Sequence, residues 1–180
     1  MHGFEVITTC STKHFNLVRS LGARQVFDSR ADNVAEHIRD TLAVQEKTAP
    51  IYTFDTIGNE TSSQLASQAM DGTQTTSLCT VRPGKANTEN VTPNTKVSDV
   101  LVWTAFYKEH KYGDFEWPPH EADHDLASEF CEKISEWLGS GRIRPNEPKL
   151  LDGGLDTVTD GFQEYRDGKI SAYKIVYMIR

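Results

Sequence analysis

The sequence predicts an α/β fold on a parallel sheet, and three observations carry that reading. Short runs rich in β-branched residues alternate with stretches whose apolar residues recur at helical spacing. Glycines and short polar residues punctuate the junctions between them. The 180-residue length fits one domain, or one domain with a large insertion.

Phe4 to Thr9 reads as a short buried strand, with Val6, Ile7, Thr8 and Thr9 suited to a pleated surface. Ser11 is placed to cap a helix that runs through Asn16, Leu17, Val18 and Leu21, and Gly22 ends it. Gln25 to Asp28 is a second strand. Asp32 then caps a helix with Val34, Ala35, Ile38 and Leu42 along one face. Ile51 to Ile57 is a third strand, closed by Gly58. Asn59 and Glu60 open a helix through Leu65, Ala66, Ala69 and Met70, and Thr75 to Val81 is a fourth strand, stopped by Arg82, Pro83 and Gly84. This rhythm predicts parallel pairing through right-handed crossovers.

The rhythm then changes. Lys85 to Pro93 reads as a mobile loop and Lys96 to Phe106 as extended chain. Tyr112 to Pro119 reads as an aromatic, proline-rich loop. Ala122 to Leu138 is the longest helix, with Leu126, Phe130, Ile134, Trp137 and Leu138 on one stripe and Glu129, Glu132 and Glu136 on a wet side. Pro145 to Leu151 leads to a short strand and a Gly153-Gly154 turn, and a helix from Leu155 to Arg166 ended by Gly168 and a strand from Ser171 to Ile179 complete the order.

Composition narrows the function. The net charge of -7, from 26 acidic and 19 basic residues, argues against nonspecific binding to nucleic acid. It leaves room for a phosphate ligand, which needs only a local cluster of donors. No apolar run reaches the roughly 18 residues of a membrane span, and the first residues lack the pattern of a signal peptide. Cys10, Cys79 and Cys131 are too few and too scattered for a disulfide framework or a metal knuckle, so a reducing, cytoplasmic setting fits. Cys10 and Cys79 end apolar segments and read as buried small hydrophobes rather than nucleophiles. His120 and His124, four residues apart with Asp123 and Asp125 beside them, invite a metal reading. They follow Pro118-Pro119 at a ragged helix start, with no third ligand at fixed spacing, and a solvated loop explains them better. No metal site is expected. No Ser-His-Asp set is argued by spacing, and the catalytic group stays unknown.

Several stretches in order carry a more specific signal: TTCSTK, VRSLGARQVFD, YTFDTIGNETS and the tail SGRIRPNEPKLLDGGLDTVTDGFQEYRDGKISAYKIVYMI. Together they resemble the coenzyme domain of the medium-chain dehydrogenase/reductase superfamily, in its zinc-independent quinone oxidoreductase and fungal trans-enoyl reductase branch. The resemblance spans nearly the whole chain. It implies a Rossmann-like, doubly wound parallel sheet over residues 1–180, in which Phe4 to Asp28 supply the second strand, second helix and third strand. It also implies an NADP(H)-dependent oxidoreductase that passes hydride to an activated double bond or carbonyl of an enone, enoyl or quinone substrate.

The resemblance assigns residues as well. The loop after the second strand meets the adenosine ribose, where NAD-specific domains place an acid. Here that loop reads Ser11, Thr12, Lys13, His14, and a hydroxyl, a lysine and a helix start suit a 2′-phosphate. The competing reading is a plain helix cap at Ser11 and a solvated Lys13. Ser29 falls where the family often has a tyrosine near the adenine, and a serine loses that stacking surface. Thr80 and Val81 end the strand that approaches the nicotinamide, and Val176 and Tyr177 lie in the last strand near the cofactor; Val81 and Val176 read equally well as core. Val102, Trp103, Thr104, Ala105 and Phe106 correspond to the stretch that lines the substrate cavity, although aromatic residues on a strand are often plain core.

The family also has parts that these residues do not match. No G-x-G-x-x-G occurs, and neither the first strand with its glycine-rich turn nor the GroES-like substrate domain is represented. The expected consequences are an open sheet, self-association or a partner chain at that opening, weak cofactor affinity and little turnover. The alternative from a different class is a catalytically dead remnant that acts as an interaction module.

Overall fold

In a computed structural model, the structure describes residues 3–44, 50–70 and 76–179. The chain divides into two units, Met1–Cys131 and Glu132–Arg180.

The first unit holds β1 (Ile7–Cys10), α1 (Phe15–Ser20), β2 (Gln25–Asp28), α2 (Val34–Ala43), β3 (Tyr52–Asp55), α3 (Glu60–Ala69), β4 (Thr76–Thr80), β5 (Thr95–Asp99), β6 (His110–Tyr112) and β7 (Phe115–Trp117). The helix α4 (Glu121–Gly139) carries the chain into the second unit. There β8 (Glu147–Leu151) and β9 (Tyr173–Tyr177) flank α5 (Val158–Arg166).

Among the described residues all strand pairings but one are parallel. β1 pairs with β2 from Ile7↔Gln25 to Cys10↔Asp28. β4 lies between β3 and β5. In the second unit β8 pairs with β9, from Glu147↔Tyr173 to Leu151↔Tyr177. This is the parallel α/β pairing that the alternation of strands and helices predicted, in the Rossmann-type arrangement that the family resemblance implied. Among the described residues β1 and β3 are not joined to each other, and each pairs on one side only.

The local reasons are legible. Gly22, Gly58 and Gly168 take positive φ where a helix or strand must stop. The Asn59 side chain accepts the Ser62 N–H at 2.8 Å while the Ser62 hydroxyl accepts the Asn59 N–H at 3.0 Å, a reciprocal cap that starts α3. Alternation along β4 puts Thr76, Leu78 and Thr80 into the core and leaves Ser77 and Cys79 half-buried on the other face. Val26, Val34, Ala69, Met70, Leu78 and Leu101 form the buried apolar core.

Several expectations need correction. Ser11 makes no side-chain cap; a 3₁₀ turn, Thr12–His14, intervenes, and α1 starts only at Phe15. Asp32 is not the cap of α2, whose N-cap is Asn33. Of the extended stretch from Lys96, only the part to Asp99 is strand. Val102–Phe106 coils into a 3₁₀ helix, closed by the Thr104 hydroxyl donating to the Leu101 carbonyl at 2.8 Å and ended by left-handed Tyr107. Tyr112–Pro119 contains half of an antiparallel hairpin, with Tyr112 opposite Phe115 across Gly113-Asp114; Gly113 has the positive φ that such a turn needs. The segment 85–93 is tied down, since Asn87 Nδ2 donates to the Gly58 carbonyl at 2.9 Å and the Thr92 N–H to Ser67 Oγ at 3.1 Å. Cys10 and Cys79 are half-buried rather than buried, and Cys131 is exposed. The stripe residues Leu126, Phe130 and Leu138 of α4 are exposed. Thr75, the expected start of the fourth strand, lies outside the described residues.

Candidate functional site

Parallel strands bring the loops at their carboxyl ends to one edge, and in open α/β sheets that edge is where ligands bind. Phe4, just ahead of β1, meets Tyr52 at the head of β3 with ring centroids 5.7 Å apart, so these two strands begin at the same edge. Four loops are therefore of interest in the first unit.

After β1, Ser11 is extended, with φ -64° and ψ 142°, and its carbonyl accepts the His14 N–H at 2.9 Å. The Ser11 hydroxyl has no partner among the described residues, so the capping role that competed with ligand binding is not in use. Thr12 and Lys13 are exposed, and His14 is half-buried. No carboxylate lies in this loop. α1 is six residues long, so the basic and hydroxyl side chains, rather than a helix dipole, are the anion-binding features here.

After β2, Ser29 is exposed and its N–H donates to the Cys10 carbonyl at 3.1 Å, which ties this loop to the end of β1. Asp28 accepts the Arg30 N–H at 3.0 Å and so holds that turn.

After β3 stands a carboxylate with four hydrogen-bond donors. The Asp55 carboxylate, 6% exposed, accepts from the Ile57 N–H at 3.0 Å, the Gly58 N–H at 2.9 Å, and the Ser62 and Ser63 hydroxyls at 2.8 Å each. Burial alone raises its pKa, but the bonds from Gly58, Ser63, Ser62 and Ile57 together outweigh it and hold the carboxyl below its ordinary range. From the other side Arg82 Nε donates to the Gly58 carbonyl at 2.7 Å, alongside Asn87. The β3–α3 turn is thus clamped at both its N–H and its C=O groups. Sequence reasoning missed this clamp; an aspartate ending a strand three residues before a glycine was the available signal.

After β4, Thr80 is fully buried, its carbonyl accepts the Val100 N–H, and the Val81 N–H donates to the Asp55 carbonyl. Only the half-buried Val81 side chain is left to meet a ligand there.

Val102 and Phe106 are 74% and 67% exposed, whereas Trp103, Thr104 and Ala105 are half-buried. Trp103 stacks on His110 at 4.9 Å and meets Trp117 edge-on at 5.2 Å, so the hairpin β6–β7 backs this short helix. His124 Nδ1 lies 2.9 Å from the Ala105 carbonyl, and His120 lies against Asp123. The histidines are thus engaged separately; among the described residues no three potential metal ligands gather.

In the second unit Val176 is 40% exposed, and the Tyr177 hydroxyl donates to the Val158 carbonyl at 3.3 Å. Tyr177 also lines an apolar cavity of about 560 Å³ with Val158, Phe162, Tyr165 and Ile175. Among the described residues no helix is long and apolar enough to cross a membrane.

No protein-family profile matches the chain. Curated relatives do. A zinc-type alcohol dehydrogenase-like protein of Schizosaccharomyces pombe is 29% identical over 182 residues, covering 98% of this chain and 49% of that protein. A trans-enoyl reductase of Fusarium sp. is 31% identical over 180 residues, again 98% of this chain and 49% of the relative. The chain spans about half the length of the curated relatives it matches. Among solved structures, JamJ enoyl reductase in its apo form superposes with a TM-score of 0.67 at 14% identity, over 99% of this chain and 48% of that one. CurA of Vibrio vulnificus, in complex with NADPH, does so with a TM-score of 0.57 at 16% identity, over 98% and 50%. These likenesses show the fold.

Proposed function

We propose that this chain, which matches about half of a trans-enoyl reductase over almost its whole length, is the coenzyme half of an NADP(H)-dependent enoyl or quinone reductase of the medium-chain dehydrogenase/reductase superfamily. The observation that carries this reading is the loop after β1: Ser11 with an unengaged hydroxyl, Lys13 exposed, and no acid. An acid there would accept ribose hydroxyls and repel a phosphate; an ammonium and a hydroxyl do the reverse.

In this reading Ser11, Thr12, Lys13 and His14 hold the 2′-phosphate. Ser29 flanks the adenine through the loop that its N–H pins to Cys10. The clamped turn at Gly58 and the Val81 side chain form a fixed rim toward the nicotinamide, and Thr80 acts through its backbone. Val102, Trp103, Thr104, Ala105 and Phe106 wall the substrate, a small enone, enoyl or quinone compound, with Trp103 braced by His110 and Trp117. The nicotinamide supplies the hydride; the chain's residues bind, orient and exclude water. Affinity is weak, because no glycine-rich turn among these loops offers the pyrophosphate successive N–H donors.

The test is a fluorescence titration of the purified chain with NADPH and with NADH. Saturable binding that favours NADPH, and that weakens about tenfold in Lys13→Ala through loss of one charge-assisted contact, supports the reading. A folded chain that binds neither nucleotide, or both equally with no effect of Lys13→Ala, refutes it. The unpaired edges of β1 and β3 favour a second reading, an interaction module without turnover.

A further inference from the structure

The short helix Val102–Phe106 is held differently at its two ends. At its entry Leu101 is buried, and the Thr104 hydroxyl donates to the Leu101 carbonyl at 2.8 Å. Trp103 stacks on His110 and meets Trp117 edge-on. At its exit the backbone offers little. The Tyr107 N–H reaches the Thr104 carbonyl at 3.5 Å, beyond the usual range of an N–H···O bond. Tyr107 itself takes φ 50° and ψ 43°, a left-handed conformation that a bulky residue adopts only when its surroundings hold it there. This turn leads the chain away from the helix, and among the described residues no backbone N–H reaches the Ala105 carbonyl.

One side chain meets both needs. His124, in the first turn of α4, reaches back 19 positions and sets Nδ1 2.9 Å from the Ala105 carbonyl. A carbonyl only accepts, so Nδ1 carries the proton in this contact. The same imidazole lies 5.5 Å from the Tyr107 ring, tilted by 32°. A side-chain donor on an unpaired carbonyl, with a ring against the left-handed residue, closes the helix where its own hydrogen bonds do not. Ala105, Tyr107 and His124 all belong to the first unit.

We propose that His124 is a positioning residue for the substrate. It fixes Ala105, Phe106 and Tyr107, the exit half of the wall, whereas Leu101 and Trp103 are fixed without it. The assignment rests on the reading of Val102–Phe106 as the substrate wall. Phe106 is 67% exposed, so its own packing does little to fix it, and the backbone on either side decides where its ring stands. A wall that is loose at Phe106 must be ordered when an apolar enone binds, and that ordering weakens affinity. His124 orders it beforehand, through Ala105 and Tyr107.

The test titrates the chain with benzylideneacetone, a small apolar enone, followed by the amide NMR shifts of Val102 to Tyr107, and it needs no turnover. Three variants separate the two contacts. His124→Asn keeps a donor in the place of Nδ1 and loses the ring, His124→Phe keeps a ring and loses the donor, and His124→Ala loses both. The enone Kd should rise at least about fivefold in His124→Phe and His124→Ala and return to within roughly twofold of the parent in His124→Asn, because the donor is what closes the helix. The strong intraresidue amide-to-Hα cross-peak of a left-handed Tyr107 should be lost in the first two and kept in the third. A long-range proton–nitrogen spectrum of the parent should place the His124 proton on Nδ1. The Trp103 amide and the circular dichroism should not change in any variant, which separates positioning from a general loss of fold. Equal affinity in all four chains, or a loss that His124→Asn does not recover, overturns the assignment of His124 and leaves the wall standing. A parent chain in which the enone moves none of these amides overturns the wall itself, and the assignment of His124 falls with it.

Discussion

Replacing Asp55 tests whether its carboxylate holds the β3–α3 turn. In Asp55→Ala four donors lose their acceptor. The Ile57 N–H sits beside an exposed side chain and Ser62 keeps its bonds to Asn59, so water and neighbours recover those two. The Gly58 N–H and the Ser63 hydroxyl are buried, and each unsatisfied buried donor costs about 1–3 kcal/mol, so the variant should lose about 4 kcal/mol. Asp55→Asn keeps one accepting oxygen and loses only the charge assistance, about 1–2 kcal/mol. Urea unfolding followed by circular dichroism at neutral pH measures both. The pH dependence has a fixed sign. The folded carboxyl titrates below its unfolded value, so its contribution is complete above the unfolded pKa of about 4 and is lost as pH falls through the folded pKa. The urea midpoint of the parent chain should therefore drop more steeply below about pH 4 than that of Asp55→Asn. An alanine variant within about 1 kcal/mol of the parent, or parallel pH curves, would show that the turn does not depend on this carboxylate.

Two further substitutions separate backbone from side-chain effects. Gly58→Ala forces a non-glycine residue to φ +66° and sets its Cβ 2.5 Å from Arg82 Cγ; it should cost about 2 kcal/mol, and about 1 kcal/mol once Arg82→Ala removes the clash, read as a double-mutant cycle. Gly161→Ala in α5 drives a methyl into the Tyr177 hydroxyl, with an expected loss of about 2 kcal/mol by chemical denaturation. In a Tyr177→Phe background the nearest atom is the ring Cζ at 3.1 Å, and the helix preference of alanine, about 1 kcal/mol, offsets that contact, so the loss should fall well below 2 kcal/mol. A Gly161→Ala effect that is the same in both backgrounds contradicts that contact.

The parts of the fold that the sequence made legible are those set by local rules. β2 was placed at Gln25–Asp28 by its residues alone, and Asn59 was recognised as the opening of α3 because capping chemistry is encoded within four residues. The errors fall where one local signal outweighed another. Aromatic and proline content around Tyr112–Pro119 obscured a Gly113-Asp114 turn between alternating residues. The apolar run through Leu101 and Trp103 suggested extension, yet the Thr104 hydroxyl closes a tight turn instead. Segment 85–93 lacks periodicity and reads as loose, but its restraint comes from Gly58 and Ser67, residues far away in sequence. The Arg82 half of the clamp was illegible for the same reason, since Arg82 reaches Gly58 across 24 positions.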